Sequence, residues 1–192
     1  MIKKEKKAVH FGAGKIGRGF IAELLHDSGY EIIFADVVEE IVDSINKDKE
    51  YPIFLIDHNY KEKIIDNISA YSNIKDKEKI IDSICEADII TTSVMATNLS
   101  KIAPLLAQGL KKRIEQGGEK AIVMACENAI MGTDILKNAM IETNILTSEE
   151  VDRIAVYPNT AVDRMVFDGE HNGKKGIEVG DAFELVIEKI NY

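Results

Sequence analysis

The chain has 192 residues, 45% hydrophobic and 30% charged, enough for one domain of good size with its own core. Its formal net charge of −9 excludes nucleic acid as the main partner, because binding a phosphate backbone needs a basic surface. Cys85 and Cys126 have no metal-like spacing and read as reduced thiols, and no apolar segment reaches signal-peptide or membrane length, so the expected location is the cytoplasm.

In chain order, Ala8 to Phe11 is a short apolar run that stops at a glycine, the pattern of a buried strand. Ile16, Phe20, Ile21, Leu24 and Leu25 then form a helical stripe that ends at Gly29. A second strand follows over Glu31 to Asp36 and a second helix over Val38 to Asn46. Tyr51 to Ser72 breaks this rhythm, because "YPIFLID" and "KIIDNISAYS" are both β-like and joined by "HNY". That predicts an antiparallel excursion around residues 51–72.

A helix over about Lys77 to Glu86 leads to "ADIITTSV", a β-branched run of the kind buried on both faces. The next helix runs from about Asn98 to Gln116, followed by a buried strand over Lys120 to Cys126. Thr147 and Glu150 are spaced as a capping box for a short helix, and Arg153 to Pro158 reads as one more strand. The final stretch, "KKGIEVGDAFELVIEKINY", reads as one or two strands that begin something else. Alternating strands and helices imply a parallel sheet, because each crossover needs a helix to return the chain. The expected fold class is therefore α/β, a Rossmann-type doubly wound and mostly parallel sheet.

Between the first strand and helix lies "GAGKIGRG", in which Gly12, Gly14 and Gly17 form GxGxxG. In that position the three glycines permit a tight turn, the approach of a pyrophosphate, and close packing of helix on strand. The amides at the helix start then face the phosphates, and the helix dipole adds about 0.3–1 kcal/mol. Phe11, Gly12, Ala13, Gly14, Lys15, Ile16, Gly17 and Arg18 are thus candidate dinucleotide contacts, with Gly19 extending the close packing. Lys15 and Arg18 would add positive charge or simply be solvated. Asp36, ending the second strand, would accept hydrogen bonds from the adenosine ribose and repel a 2′-phosphate, which favours NAD over NADP. Ligands of open parallel sheets lie at the carboxyl ends of the strands, which nominates Thr92, Ser93, Val94, Glu127 and Asn128, each equally readable as a turn residue. The four histidines are scattered, so no metal site is expected; His10 belongs in or beside the first strand.

"HFGAGKIGRGFI", "FADV", "ACEN", "PNTAVDRMV" and "IAPLLAQGLKKRIEQG" resemble the polyol-specific long-chain dehydrogenases, over nearly the whole chain. The resemblance implies a metal-free, NAD-dependent enzyme interconverting D-mannitol 1-phosphate and D-fructose 6-phosphate. Related hexuronate-reductase or mannitol 2-dehydrogenase activities, or a non-catalytic NAD-sensing module, are the alternatives. It also implies a Rossmann domain followed by a mostly helical domain, whose Lys in a K-x4-N-x2-H motif acts as general base. No such motif occurs here. Residues 1–192 are therefore expected to be the NAD-binding domain, with those after about 175 leading toward the absent catalytic domain. Alone the chain should be inactive, and a monomer by default, with the sugar-phosphate substrate held through the missing domain. Matching the family's motifs, Asn159 and Arg164 are possible substrate-side residues, with Asp163 beside Arg164 as a structural ion pair or interdomain contact.

Overall fold

The computed structural model describes residues 5–190. Its main sheet has six strands, all parallel, in the order β5-β2-β1-β6-β7-β8. These are β1 (Lys6–Phe11), β2 (Tyr30–Asp36), β5 (Ile68–Ser72), β6 (Ile89–Thr92), β7 (Ala121–Ala125) and the two-residue β8 (Ala155–Val156). The chain builds outward from β1 on one side, then crosses back to lay β6 against the other side of β1. That reversal is where a doubly wound sheet opens a crevice at its carboxyl edge.

Alternation along the strands feeds two cores. Val9, Phe11, Ile33 and Ile90 point to one face, under α3 (Lys77–Glu86), α4 (Leu99–Glu115), α5 (Gly132–Glu142) and α6 (Ser148–Ile154). Ala8, Ile32 and Phe34 point to the other, where they meet Phe20, Ile21 and Leu25 from the first helical segment and Val42 and Ile45 of α2 (Glu39–Asp48). The first helical segment starts at Lys15, takes a π-helical turn over Gly17–Ile21 and continues as α1 (Ala22–Asp27).

That second core is shared with a smaller mixed sheet, ordered β4-β3-β10-β9. β3 (Tyr51–Leu55) and β4 (Lys61–Ile65) form the antiparallel hairpin expected from the sequence. The excursion ends at Ile65, however. Asn67 takes a left-handed conformation (φ 54°), and β5 returns to the main sheet with Ile68 opposite Ile32. The final stretch is one strand, β10 (Lys174–Ile187). It pairs antiparallel with β9 (Thr160–His171), and in parallel with β3, so that Ile177 and Val179 close the second core. The expected strand over 153–158 shrinks to Ala155–Val156, because Arg153 and Ile154 are the last turn of α6. Both hydrogen bonds of the Thr147/Glu150 capping box start that helix. Sequence reading missed α5 and β9 altogether.

Candidate functional site: the glycine turn and its cavities

β1 ends at Phe11, and Gly12 turns the chain with φ +100°, a conformation costly for any residue with a Cβ. A Cβ on Gly12 would also sit 2.5 Å from the Ser93 carbonyl oxygen, where the chain leaves β6. On Gly17 it would sit 2.0 Å from the Gly12 carbonyl oxygen, so helix and strand touch there with no room for a methyl group. Gly14 differs: a Cβ there would meet nothing within 4 Å. No protein atom requires Gly14 to be bare. The space above it opens beside amides that, at a helix start, have no intrahelical acceptor.

Two further groups hold the turn. Asp36 at the end of β2 is buried and reaches back, its Oδ2 accepting from the Ala13 amide at 2.5 Å and its Oδ1 from the Val38 amide at 2.8 Å. A carboxylate has about four acceptor positions, so both oxygens keep capacity for ligand hydroxyls. Behind the turn, fully buried His10 bridges Thr91 Oγ1 (Nδ1, 2.7 Å) and Ser93 Oγ (Nε2, 2.8 Å). Ser93 Oγ donates to the Gly12 carbonyl at 3.3 Å, which uses its only proton. It must therefore accept from His10 Nε2–H, leaving Nδ1 to accept from Thr91. Burial pushes the imidazole down to about 3, opposed by the bond to the Gly12 backbone, so the ring stays neutral.

The turn borders a cavity of about 480 Å³, lined by Gly12, Gly14, Asp36, Val37, Asn73, Val94, Asn98, Lys101 and Ile102. Lys101 Nζ is held by Asn98 Oδ1 at 2.8 Å. Across the switch point lies a second cleft, of about 610 Å³, lined by Ile16, Phe20, Cys126, Glu127, Asn128 and Arg164; Ser93 and Met95 border both. Glu127 is buried and accepts from Thr92 Oγ1 (2.7 Å) and the amides of Val94 (2.8 Å) and Met95 (2.9 Å). It ties the β6 exit loop to β7. Cys126 is buried, and burial pushes its thiol up to about 12, which makes it a poor nucleophile.

The structure thus gathers Gly12, Gly14, Asp36 and Val94 on one cavity, Ile16 and Asn128 on the other, and Ser93 on both. Phe11, Ala13 and Gly17 build the turn itself. Lys15 and Arg18 are placed elsewhere. Lys15 is exposed and paired with Asp168 at 3.2 Å. Arg18 donates to the Ala13 carbonyl at 2.7 Å and lies over the Tyr51 ring, bordering a separate cavity between α2 and the smaller sheet.

Arg164 lines the second cleft, but its guanidinium is buried. It bonds the Gly19 carbonyl (3.1 Å), the Gly180 carbonyl (2.9 Å) and the Glu23 carboxylate. Its ion-pair partner is therefore Glu23 rather than the adjacent Asp163, which is exposed on the cleft. Asn159 is also committed. Its Oδ1 accepts from the amides of Thr133 (3.2 Å) and Asp134 (3.3 Å), and its Nδ2 donates to Asp134 and Glu188. Sequence reasoning missed Asn73 and Lys101. The rule that nominates residues at strand ends would have reached Asn73 had β5 been read as parallel. Among the described residues, no group of three or more His, Cys, Asp or Glu is placed to hold a metal, and no helix is long and apolar enough to cross a membrane.

Fold and cavity together define a Rossmann-type nucleotide-binding domain. Residues 6–192 match the model of the mannitol dehydrogenase Rossmann domain, and the chain belongs to that family. It is 42% identical over 185 residues to a mannitol-1-phosphate 5-dehydrogenase of Geobacillus stearothermophilus, covering 96% of this chain and 48% of the relative. To the protein of the same name from Thermoanaerobacter pseudethanolicus it is 45% identical over 186 residues, covering 95% and 48%. The chain thus spans about half the length of these relatives. Among solved structures, the mannitol 2-dehydrogenase of Pseudomonas fluorescens, in a ternary complex with NAD and D-mannitol, superposes with a TM-score of 0.79 at 13% identity, over 97% of this chain and 50% of that one. A substrate-free D-sorbitol dehydrogenase gives 0.78 at 14%, over 95% and 50%. At that identity the likeness is one of fold.

Proposed function

We propose that this chain is the NAD-binding half of an enzyme that interconverts D-mannitol 1-phosphate and D-fructose 6-phosphate. The observation that carries the cofactor reading is Gly14, bare with no protein atom to require it, at a helix N-terminus and beside Asp36. A bound nicotinamide supplies the hydride acceptor and donor. The chain's own residues bind and orient: the first-turn amides take the pyrophosphate, and Asp36 accepts from the adenosine ribose. A buried carboxylate there opposes a 2′-phosphate, which selects NAD over NADP. Glu127 holds the loop that borders both cavities, and Asp163 and Asn128 lie on the cleft at the nicotinamide side. The substrate assignment is supported by relatives above 40% identity that carry that name. The proton of the alcohol leaves as the hydride moves, and this chain has no K-x4-N-x2-H motif to take it. The reading assigns that group to the half of the relatives' length not spanned here.

Two measurements test this. NAD should raise the melting temperature more than NADP does, and Asp36→Ala should narrow the gap; equal stabilisation of the unmutated chain by both would sink the role given to Asp36. The chain alone should form no NADH from mannitol 1-phosphate. Joined to the second half of the Geobacillus relative it should do so, and prefer mannitol 1-phosphate to mannitol. Turnover by the chain alone, or a chimera that uses only unphosphorylated mannitol, would overturn the proposal.

A further inference from the structure

Only two buried side-chain polar atoms among the described residues have no hydrogen-bond partner, Asn73 Oδ1 and the Tyr157 hydroxyl. Leaving a buried acceptor unmade costs about 1–3 kcal/mol, so an orphan of this kind calls for an explanation. Asn73 has one that Tyr157 lacks: its residue lines the 480 Å³ cavity together with Gly14 and Asp36, so a rotation of its side chain would bring the buried Oδ1 to a ligand there. Its position is firm, since Ser72 is the β5 residue opposite Asp36, and the Asn73 amide donates to the Asp36 carbonyl at 2.9 Å.

Which part of the ligand meets Asn73 follows from strand order. The pyrophosphate seat is at β1, the ribose carboxylate Asp36 ends β2, and Asn73 follows β5, one strand further out along the sheet. A dinucleotide extending in that direction passes phosphate, then ribose, then base. The apolar side chains of Val37 and Ile102 line the same cavity and give a flat ring apolar surface to lie against. The ribose hydroxyls already have acceptors in Asp36. What remains for an unpartnered carbonyl oxygen at the far end is a donor on the base edge.

We propose that Asn73 Oδ1 accepts a hydrogen bond from the exocyclic amino group of adenine, making Asn73 the residue that selects an adenine base at this site. The inference rests on the nucleotide reading above. Hypoxanthine presents a carbonyl where adenine presents that amino group, and would set two acceptors face to face.

The test is calorimetric titration of the purified chain with NAD and with nicotinamide hypoxanthine dinucleotide. NAD should bind about five- to tenfold more tightly, the difference of one buried hydrogen bond. Asn73→Ala should bind both dinucleotides equally, near the wild-type affinity for the hypoxanthine form. Asn73→Asp keeps the acceptor and cannot present an amide donor, and should retain the preference. Equal binding of both by the wild-type chain, which needs no variant to fold, would overturn the role of Asn73 and leave the nucleotide reading standing. So would a preference that survives Asn73→Ala. Binding of neither would remove both.

Discussion

His10 is fully buried between β1 and β6, and the chain of donors from Thr91 through His10 and Ser93 to the Gly12 carbonyl assigns its proton to Nε2. In the unfolded chain this imidazole takes up a proton near 6.5, whereas in the folded chain burial lowers that point to about 3. Between the two the unfolded state binds more protons, so stability rises with pH. The contribution of His10 is complete above about 6.5 and is lost as pH falls toward 3, at up to about 1.4 kcal/mol per pH unit. The nitrogen resonances of His10 should therefore show one fixed Nε2–H tautomer, unchanged from about pH 8 to 5. A midpoint near the ordinary histidine value would contradict the burial and the hydrogen-bond order together. That His10 belongs with the first strand was readable from its place in an apolar run. Its partners were not, because Thr91 and Ser93 are 81 and 83 residues away in the chain.

Arg164 is one of the contacts that fasten the smaller sheet to the first helical segment and through it to the main sheet. From β9 it passes the rings of Phe20 and Phe183, bonds the Gly19 and Gly180 carbonyls, and pairs with Glu23 on α1, which Lys63 of β4 also meets at 2.8 Å. With side-chain exposures of 3% and 10%, the Arg164–Glu23 pair lies below the surface, where removing one partner leaves an uncompensated charge. Arg164→Ala should cost about 3–5 kcal/mol in chemical denaturation, and adding Glu23→Gln should recover part of that loss. An unchanged denaturation midpoint in Arg164→Ala would show that the smaller sheet is held without this pair, by its apolar contacts and by the other polar ones, such as Lys63 with Glu23 and Asp27. The elements missed in the sequence share one physical cause: their determinants are distant. Asn159 caps the start of α5 from 25 and 26 residues away, and Met131 before it has a left-handed backbone, so no local start signal exists. β9 buries Thr160 and Arg164 while exposing Met165 and Phe167, an inversion of the alternation that marks a strand. β5 runs on from β4 with only Asp66 and Asn67 between, so one β-like run divides between two sheets.

At the scale of the whole molecule, the reversal that lays β6 beside β1 pairs Ala8 with Ile89 and was not legible, whereas a mostly parallel sheet and the glycine turn after its first strand both were. These two depend on patterns within about 30 residues of chain, and GxGxxG is itself such a pattern. The smaller sheet was less so, since it joins residues 51–65 to 160–187. Its role is to cover one face of the nucleotide-binding sheet, and Gly19 marks the seam: a Cβ there would lie 2.5 Å from Ile177 of β10. The three motif glycines divide by function in the same way. Gly17→Ala would force a methyl group to 2.0 Å from the Gly12 carbonyl oxygen and should prevent stable folding. Gly14→Ala meets no protein atom within 4 Å and should leave the fold intact while filling the proposed pyrophosphate seat. The most direct measurement is therefore calorimetric NAD binding by the wild-type chain and Gly14→Ala, with melting temperatures taken without ligand. Matching melting temperatures and an affinity for NAD at least about tenfold weaker in the variant are the expected result, a loss of roughly 1.4 kcal/mol. Undiminished NAD binding by a folded Gly14→Ala would contradict it.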